Sequence, residues 1–115
     1  MKKLKKVQIS KYESIVKKLE STCLNWFQDT SFNHNLPKYL EDYMCYVEYE
    51  FKEHYYDDGD DAVVFEVRAE LDYDEFEDLI DKLDDTVEAY IGHDMFYFEM
   101  VEPGIATCWI PASEL

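Results

Sequence analysis

Residues 43–71 alternate between apolar and polar side chains on both sides of an Asp58-Gly59 step, and this pattern constrains the fold more than any other. In "YMCYVEYEFKEHYY" (43–56), Tyr43, Cys45, Val47, Tyr49 and Phe51 share one face. Met44, Tyr46, Glu48, Glu50, Lys52 and His54 share the other. A period of two belongs to a half-buried strand, because successive side chains point to opposite sides. "AVVFEVRAEL" (62–71) repeats the alternation, with Val63, Phe65, Val67, Ala69 and Leu71 facing in. Asp-Gly between two such runs is a strong hairpin-turn signal. The chain must then cover one apolar side of a two-stranded ribbon.

Two amphipathic stretches can supply the cover. Ser10-x-x-Glu13 has the form of a capping box, with Ile9 before it. From there Tyr12, Ile15, Val16, Leu19, Cys23, Trp26 and Phe27 form a stripe at helical spacing, which predicts a helix over 10–28. "DTSFNHNLPK" (29–38) reads as a loop, rich in turn formers and closed by Pro37. Asp72-x-x-Glu75 starts a second helix over 73–90, with Asp72 as N-cap and Gly92 where a C-terminal cap belongs. Its stripe is Tyr73, Phe76, Leu79, Ile80, Leu83, Val87 and Tyr90. "DMFYFEMV" (94–101) and "IATCWI" (105–110) read as strands, joined by "EPGI" with the Pro-Gly centre of a type II turn; Pro111 ends the last one.

The order α-β-β-α-β-β predicts a two-layer α+β fold: a four-stranded, mainly antiparallel sheet with both helices on one face. At 115 residues the chain fits one domain, read as a basic N-terminal arm (1–9) and a single acidic domain (10–115). Its 17% aromatic content argues against disorder. No apolar run approaches the ~20 residues of a membrane span, and no apolar stretch of ~7–15 residues follows the basic start. Three scattered cysteines, Cys23, Cys45 and Cys108, form no CxxC and read as buried thiols. The expectation is a cytoplasmic chain, in a bacterial host cell if phage-encoded.

The formal charge is −16, unevenly spread. Residues 1–18 hold seven lysines and one acid, whereas Glu41 to Glu102 hold 23 acids and three bases. An acidic body of this kind repels nucleic acid and anionic lipid and attracts basic surfaces. The densest part is "DEFEDLIDKLDD" (74–85). Asp74, Asp78, Asp81, Asp85 and Glu88 run opposite the apolar stripe, flanked by Glu77 and Asp84. Ten like-charge pairs lie at helical spacings between Asp72 and Glu88, and Lys82 contributes two attractive ones. At roughly 0.2–0.5 kcal/mol per pair the net penalty is about 2–4 kcal/mol.

A penalty on that scale points to a use. Helical acids three or four apart are separated by ~4.5–6 Å along the axis, and duplex DNA carries one charge per ~3.4 Å along each strand. Carboxylates on helix 2, with Asp57, Asp58, Asp60 and Asp61 of the turn, approximate a phosphate track. In composition alone, the chain resembles small phage and plasmid proteins that block nucleases by imitating DNA. Tyr46 and Tyr56, placed on the outward strand face beside Glu48 and Glu50, add aromatic anchors of the kind found at protein interfaces. The same face offers a seam for a homodimer.

Other chemistries lack their residues. "DDGDD" (57–61) misses the EF-hand spacing, with Gly59 at position 3 and Ala62 at position 6. His34, His54 and His93 have no short spacing to metal ligands. There is no Gly-rich phosphate loop, GxSxG or HExxH. The sequence therefore predicts no catalytic residue, metal or cofactor. It predicts a non-enzymatic inhibitor, encoded by a phage or mobile element, that occupies the basic nucleic-acid site of a host defence nuclease or related enzyme. The alternatives are an immunity protein or antitoxin that plugs a basic toxin active site, and a structural or interaction protein.

Overall fold

The computed structural model describes residues 6–30 and 39–114, with the backbone alone for 6–10 and Asp42. The elements are α1 (Lys6–Thr30), a 3-10 turn (Leu40–Tyr43), β1 (Tyr46–Lys52), β2 (Ala62–Arg68), α2 (Tyr73–Ile91), β3 (Tyr97–Glu102), β4 (Ile105–Pro111) and a closing 3-10 turn (Ala112–Glu114). The sheet order is β1-β2-β4-β3, with every neighbouring pair antiparallel. Because β4 lies between them, β2 and β3 run parallel, and α2 is the crossover that joins them.

Register explains the core. Val47, Val67, Ala106 and Met100 form one row across the four strands; Tyr49, Phe65, Cys108 and Phe98 form the next. Phe51, Val63 and Ile110 make a third. This side carries the apolar stripes of both helices, where Tyr12, Ile15, Leu19, Phe76, Leu79 and Leu83 are all within 1% of full burial. Burying side chains of this size contributes roughly 1.5–3 kcal/mol each. The two helices run antiparallel along a shared seam. Lys18 Nζ lies 5.7 Å above the Tyr90 ring, Thr22 and Thr86 hydroxyls are 2.8 Å apart, and Trp26 Nε1 donates to Asp78 Oδ2 at 2.7 Å.

The α2 boundaries follow their local signals. The Asp72 carboxylate accepts from Glu75 N, Glu75 reaches back to Asp72 N, and Gly92 ends the helix at φ +83°. The start of α1 does not. Helical backbone is present from Lys6, so Ser10 lies inside the helix and not at its cap. Lysine, valine, glutamine and isoleucine at 6–9 are all tolerated in a helix, and only Met1–Lys5 of the basic arm fall outside the described residues. Asp29 and Thr30 also belong to α1, whereas the rest of the expected loop, 31–38, lies outside the described residues.

The first strand is shorter than its alternation predicts, and the reason is backbone. His54 adopts φ +51°, a left-handed conformation that ends the extended run after Lys52. The parity of the following residues then changes. Tyr55 packs its ring on Trp109, with centroids 4.8 Å apart, and Tyr56 is half-buried. Tyr56 lies beyond the end of β1, so it is not part of the outward strand face where alternation put it.

At the far end of the sheet, Gly104 takes φ +93°, the value a type II turn needs at its third residue. Its carbonyl accepts from Ala69 N at 2.9 Å, which ties the β3–β4 turn to the end of β2. No described helix is long and apolar enough to cross a membrane.

Candidate protein-binding surfaces

The structure divides the predicted acidic surface between the two layers. On the helix layer, Asp74, Glu77, Asp78, Asp81, Asp85 and Glu88 are exposed along α2, and Asp84 is half-buried. These residues form one track because α2 presents its apolar stripe to the sheet and its other side to water. Asp78 differs from the rest, since its carboxylate is engaged by Trp26, which is only 7% exposed. The Glu77 carboxylate beside the Tyr73 hydroxyl, and then the charge of Asp74, raise the Tyr73 pKa.

Asp84 sits on the flank of the helix. Burial pushes its carboxyl above the usual range, and the neighbouring Asp85 and Asp81 charges push it further. Carboxylate oxygens of Asp84, Asp85 and Glu88 all lie within 4.8 Å of one another, the grouping among the described residues that comes nearest to a metal-ligand set. An all-carboxylate cluster without nitrogen or sulfur would suit a hard cation over zinc. Exposed acids crowd in this way on any helix with such a sequence, so the cluster assigns no metal.

The β1–β2 turn is mostly turned inward on itself. Asp58 Oδ1 accepts from Asp60 N, and Asp60 Oδ1 accepts from Asp61 N, each at 2.9 Å. The Ser113 hydroxyl donates to Asp60 Oδ2 at 2.6 Å, and Asp61 Oδ1 accepts from His54 N at 2.9 Å. Asp61 is 5% exposed, so its carboxylate is a structural acceptor and not part of an outer phosphate-like track. Asp57 and Asp58 are exposed, and Asp60 is half-buried. Burial is the main cause of a raised Tyr56 pKa, followed by Tyr55, Asp60 and Cys108.

On the opposite layer no described helix covers the sheet. Glu48, Glu66, Thr107 and Glu99 form one row across all four strands, and Glu50, Val64, Trp109 and Tyr97 form the next. Tyr46 stands at the edge, 45% exposed. Trp109 is the member of this face that alternation in "IATCWI" identifies as out of phase with Ala106, Cys108 and Ile110. The expected strand 105–110 carried no site assignment for Trp109, because strand register and not composition places its ring on the open face. Lys52 Nζ lies 5.2 Å above its ring.

The cysteines lie inside. The neighbouring Cys45 thiol, and then burial, drive the Cys23 thiol far above the ordinary range. Burial does the same for Cys108. Thiols held protonated in an apolar core are poor nucleophiles. His93 Nε2 is 3.1 Å from Glu114 Oε2, and no cysteine shares that contact. No protein-family model, curated protein or solved structure matches this chain.

Proposed function

We propose that the protein is a non-enzymatic inhibitor that uses α2 as a polyanion and occupies the basic nucleic-acid site of a larger protein, with a phage or mobile-element origin and a defence nuclease as the target class. The observation that carries the reading is the outer face of α2. Asp74, Asp81, Asp85 and Glu88 are exposed there in sequence order, with Lys82 as the interrupting cation. From Asp81 to Asp85 to Glu88 the axial spacing is ~4.5–6 Å per step, on the scale of a phosphate backbone, and Asp74 stands ~10.5 Å before Asp81. A protein built to bind phosphate with Lys and Arg meets the same charge on this helix, and long-range attraction speeds its arrival.

Immobilised protein is expected to capture its partner from a bacterial lysate. The captured partner should elute with rising salt and with added duplex DNA or RNA. Replacing Asp81 and Asp85 by lysine should abolish capture. Retention of capture by that double variant would overturn the α2 assignment. Elution by salt but not by nucleic acid would favour the plug of a toxin site away from any phosphate track.

A further inference from the structure

We propose that the open face of the sheet is a second docking surface, and that it takes an extended polypeptide segment bearing arginine or lysine. This surface lies on the layer opposite α2, so the inference stands apart from the polyanion reading. Among the described residues no helix lies over the other side of the sheet, and that side is neither polar throughout nor apolar throughout. Tyr46, Tyr55 and Tyr97 on or beside it are 45%, 52% and 60% exposed. Tyr55 and Trp109 stack over its upper half, and they leave a shallow recess of about 220 Å³ bounded by Glu48, Glu50, Glu66, Thr107 and the indole. Exposed aromatics within a rim of charge are the composition of a protein-binding surface.

Charge selects the occupant. Glu48 and Glu66 are direct cross-strand partners, and Thr107 and Glu99 continue the same row. Like charges placed opposite each other on a sheet are unfavourable. The described cations on this face are Arg68, 3.1 Å from Glu66, and Lys52, which lies over Trp109. The Lys52 contact shows that the Trp109 ring accepts a cation in this setting. A guanidinium or ammonium brought in by a partner would find carboxylates for its charge and aromatic rings for its stem. A nucleic acid would stack on the same rings but meet four glutamates at its phosphates. A second copy would bring a further excess of negative charge.

The two tryptophans report the two layers separately. Trp26 donates to Asp78 on α2, and Trp109 Nε1 donates to Thr107 Oγ1 at 3.1 Å within the open face. The full chain, labelled with 15N, is titrated with a short peptide alternating arginine and serine while both indole N–H resonances are followed. The Trp109 resonance is expected to shift together with the amides of Glu48, Glu66 and Glu99. In a Glu48→Gln/Glu66→Gln variant the affinity read at Trp109 should fall roughly three- to thirtyfold, the worth of two exposed ion pairs. Any response at Trp26 should be retained in that variant.

A response at Trp26 alone, or an unchanged Trp109 response in the double variant, would overturn the proposal and leave the α2 reading standing. A Trp109 shift on dilution without peptide would assign the face to a second copy. A shift with an oligonucleotide in place of peptide would assign it to nucleic acid. Either result would also overturn the proposal. Loss of the Trp26 response in an Asp81→Lys/Asp85→Lys variant tests the α2 surface independently.

Discussion

Trp26 donates its indole N–H to the Asp78 carboxylate at 2.7 Å, and this bond fastens α1 to α2 across 52 residues of sequence. The acceptor stands within the acidic face of α2 but serves the inside of the protein. Asp78→Ala should destabilise the fold by about 1–2 kcal/mol, because the indole of a buried tryptophan loses a charged acceptor. Asp78→Asn, which retains a carbonyl oxygen, should recover most of the loss. Urea denaturation of the two variants checks both outcomes. Charge reversal at Asp78 would therefore confuse folding with binding, and tests of the α2 surface belong at Asp81 and Asp85.

Asp81 has an acid at every helical neighbour: Glu77, Asp78, Asp84 and Asp85. Asp81→Lys turns four repulsive pairs into attractive ones. The isolated protein should gain about 1–3 kcal/mol at low ionic strength, and the gain should shrink as salt is added. The same change should weaken partner capture. Thermal melts at two salt concentrations, beside the capture assay, test the pair of effects. A stabilised variant with undiminished binding would mean that α2 carries its charge for solubility alone.

Lower pH should stabilise the protein over the range just above ordinary carboxylate titration. Burial, then Glu41, raises the Glu20 pKa against a smaller lowering by Lys17. Burial, then Asp85 and Asp81, raises that of Asp84. Each carboxyl holds its proton to a higher pH in the folded chain than in the unfolded one. The resulting stabilisation is complete below the unfolded values and is lost as pH rises through the folded ones. The melting temperature is therefore expected to climb as pH falls from neutrality toward the ordinary carboxylate range. Asp84→Asn should raise it at neutral pH and flatten its slope. A melting temperature that falls over this range would contradict the assignment.

Two glycines separate conformation from contact. Gly59 has φ +85° and open space where a Cβ would go; Gly104 has φ +93° and the Ala69 carbonyl oxygen 2.5 Å from that position. Gly59→Ala should cost about 1–2 kcal/mol, the left-handed penalty alone. Gly104→Ala should cost roughly 3–5 kcal/mol, because backbone must also move. Denaturation midpoints of the two variants, measured side by side, test the difference.

The elements and their order were legible in the sequence because period and punctuation agree. The Asp72–Glu75 box, Gly92 and the Pro103-Gly104 turn each end a run whose periodicity changes at that point. The Ser10–Glu13 signal failed because capping motifs also occur within helices when nothing upstream interrupts them. For the surface, composition located the acids but not their orientation. Asp61 and Asp78 are acidic by sequence and structural by position, a distinction set by His54 N and Trp26, which are distant partners. The sequence also gave no sign that the acids divide between two layers, because layer assignment depends on strand register.

His54 determines which tyrosine meets Trp109. Alternation carried on from β1 would send Tyr55 away from the open face, whereas beyond the single left-handed residue its ring packs on Trp109. One backbone dihedral thus works as a phase shifter between an extended strand and the tip of its hairpin. The aromatic lid over the upper sheet face is accordingly encoded in conformation, and a β-branched residue at position 54, barred from that region by its own side chain, would leave every aromatic in place in the sequence while removing the lid from the fold.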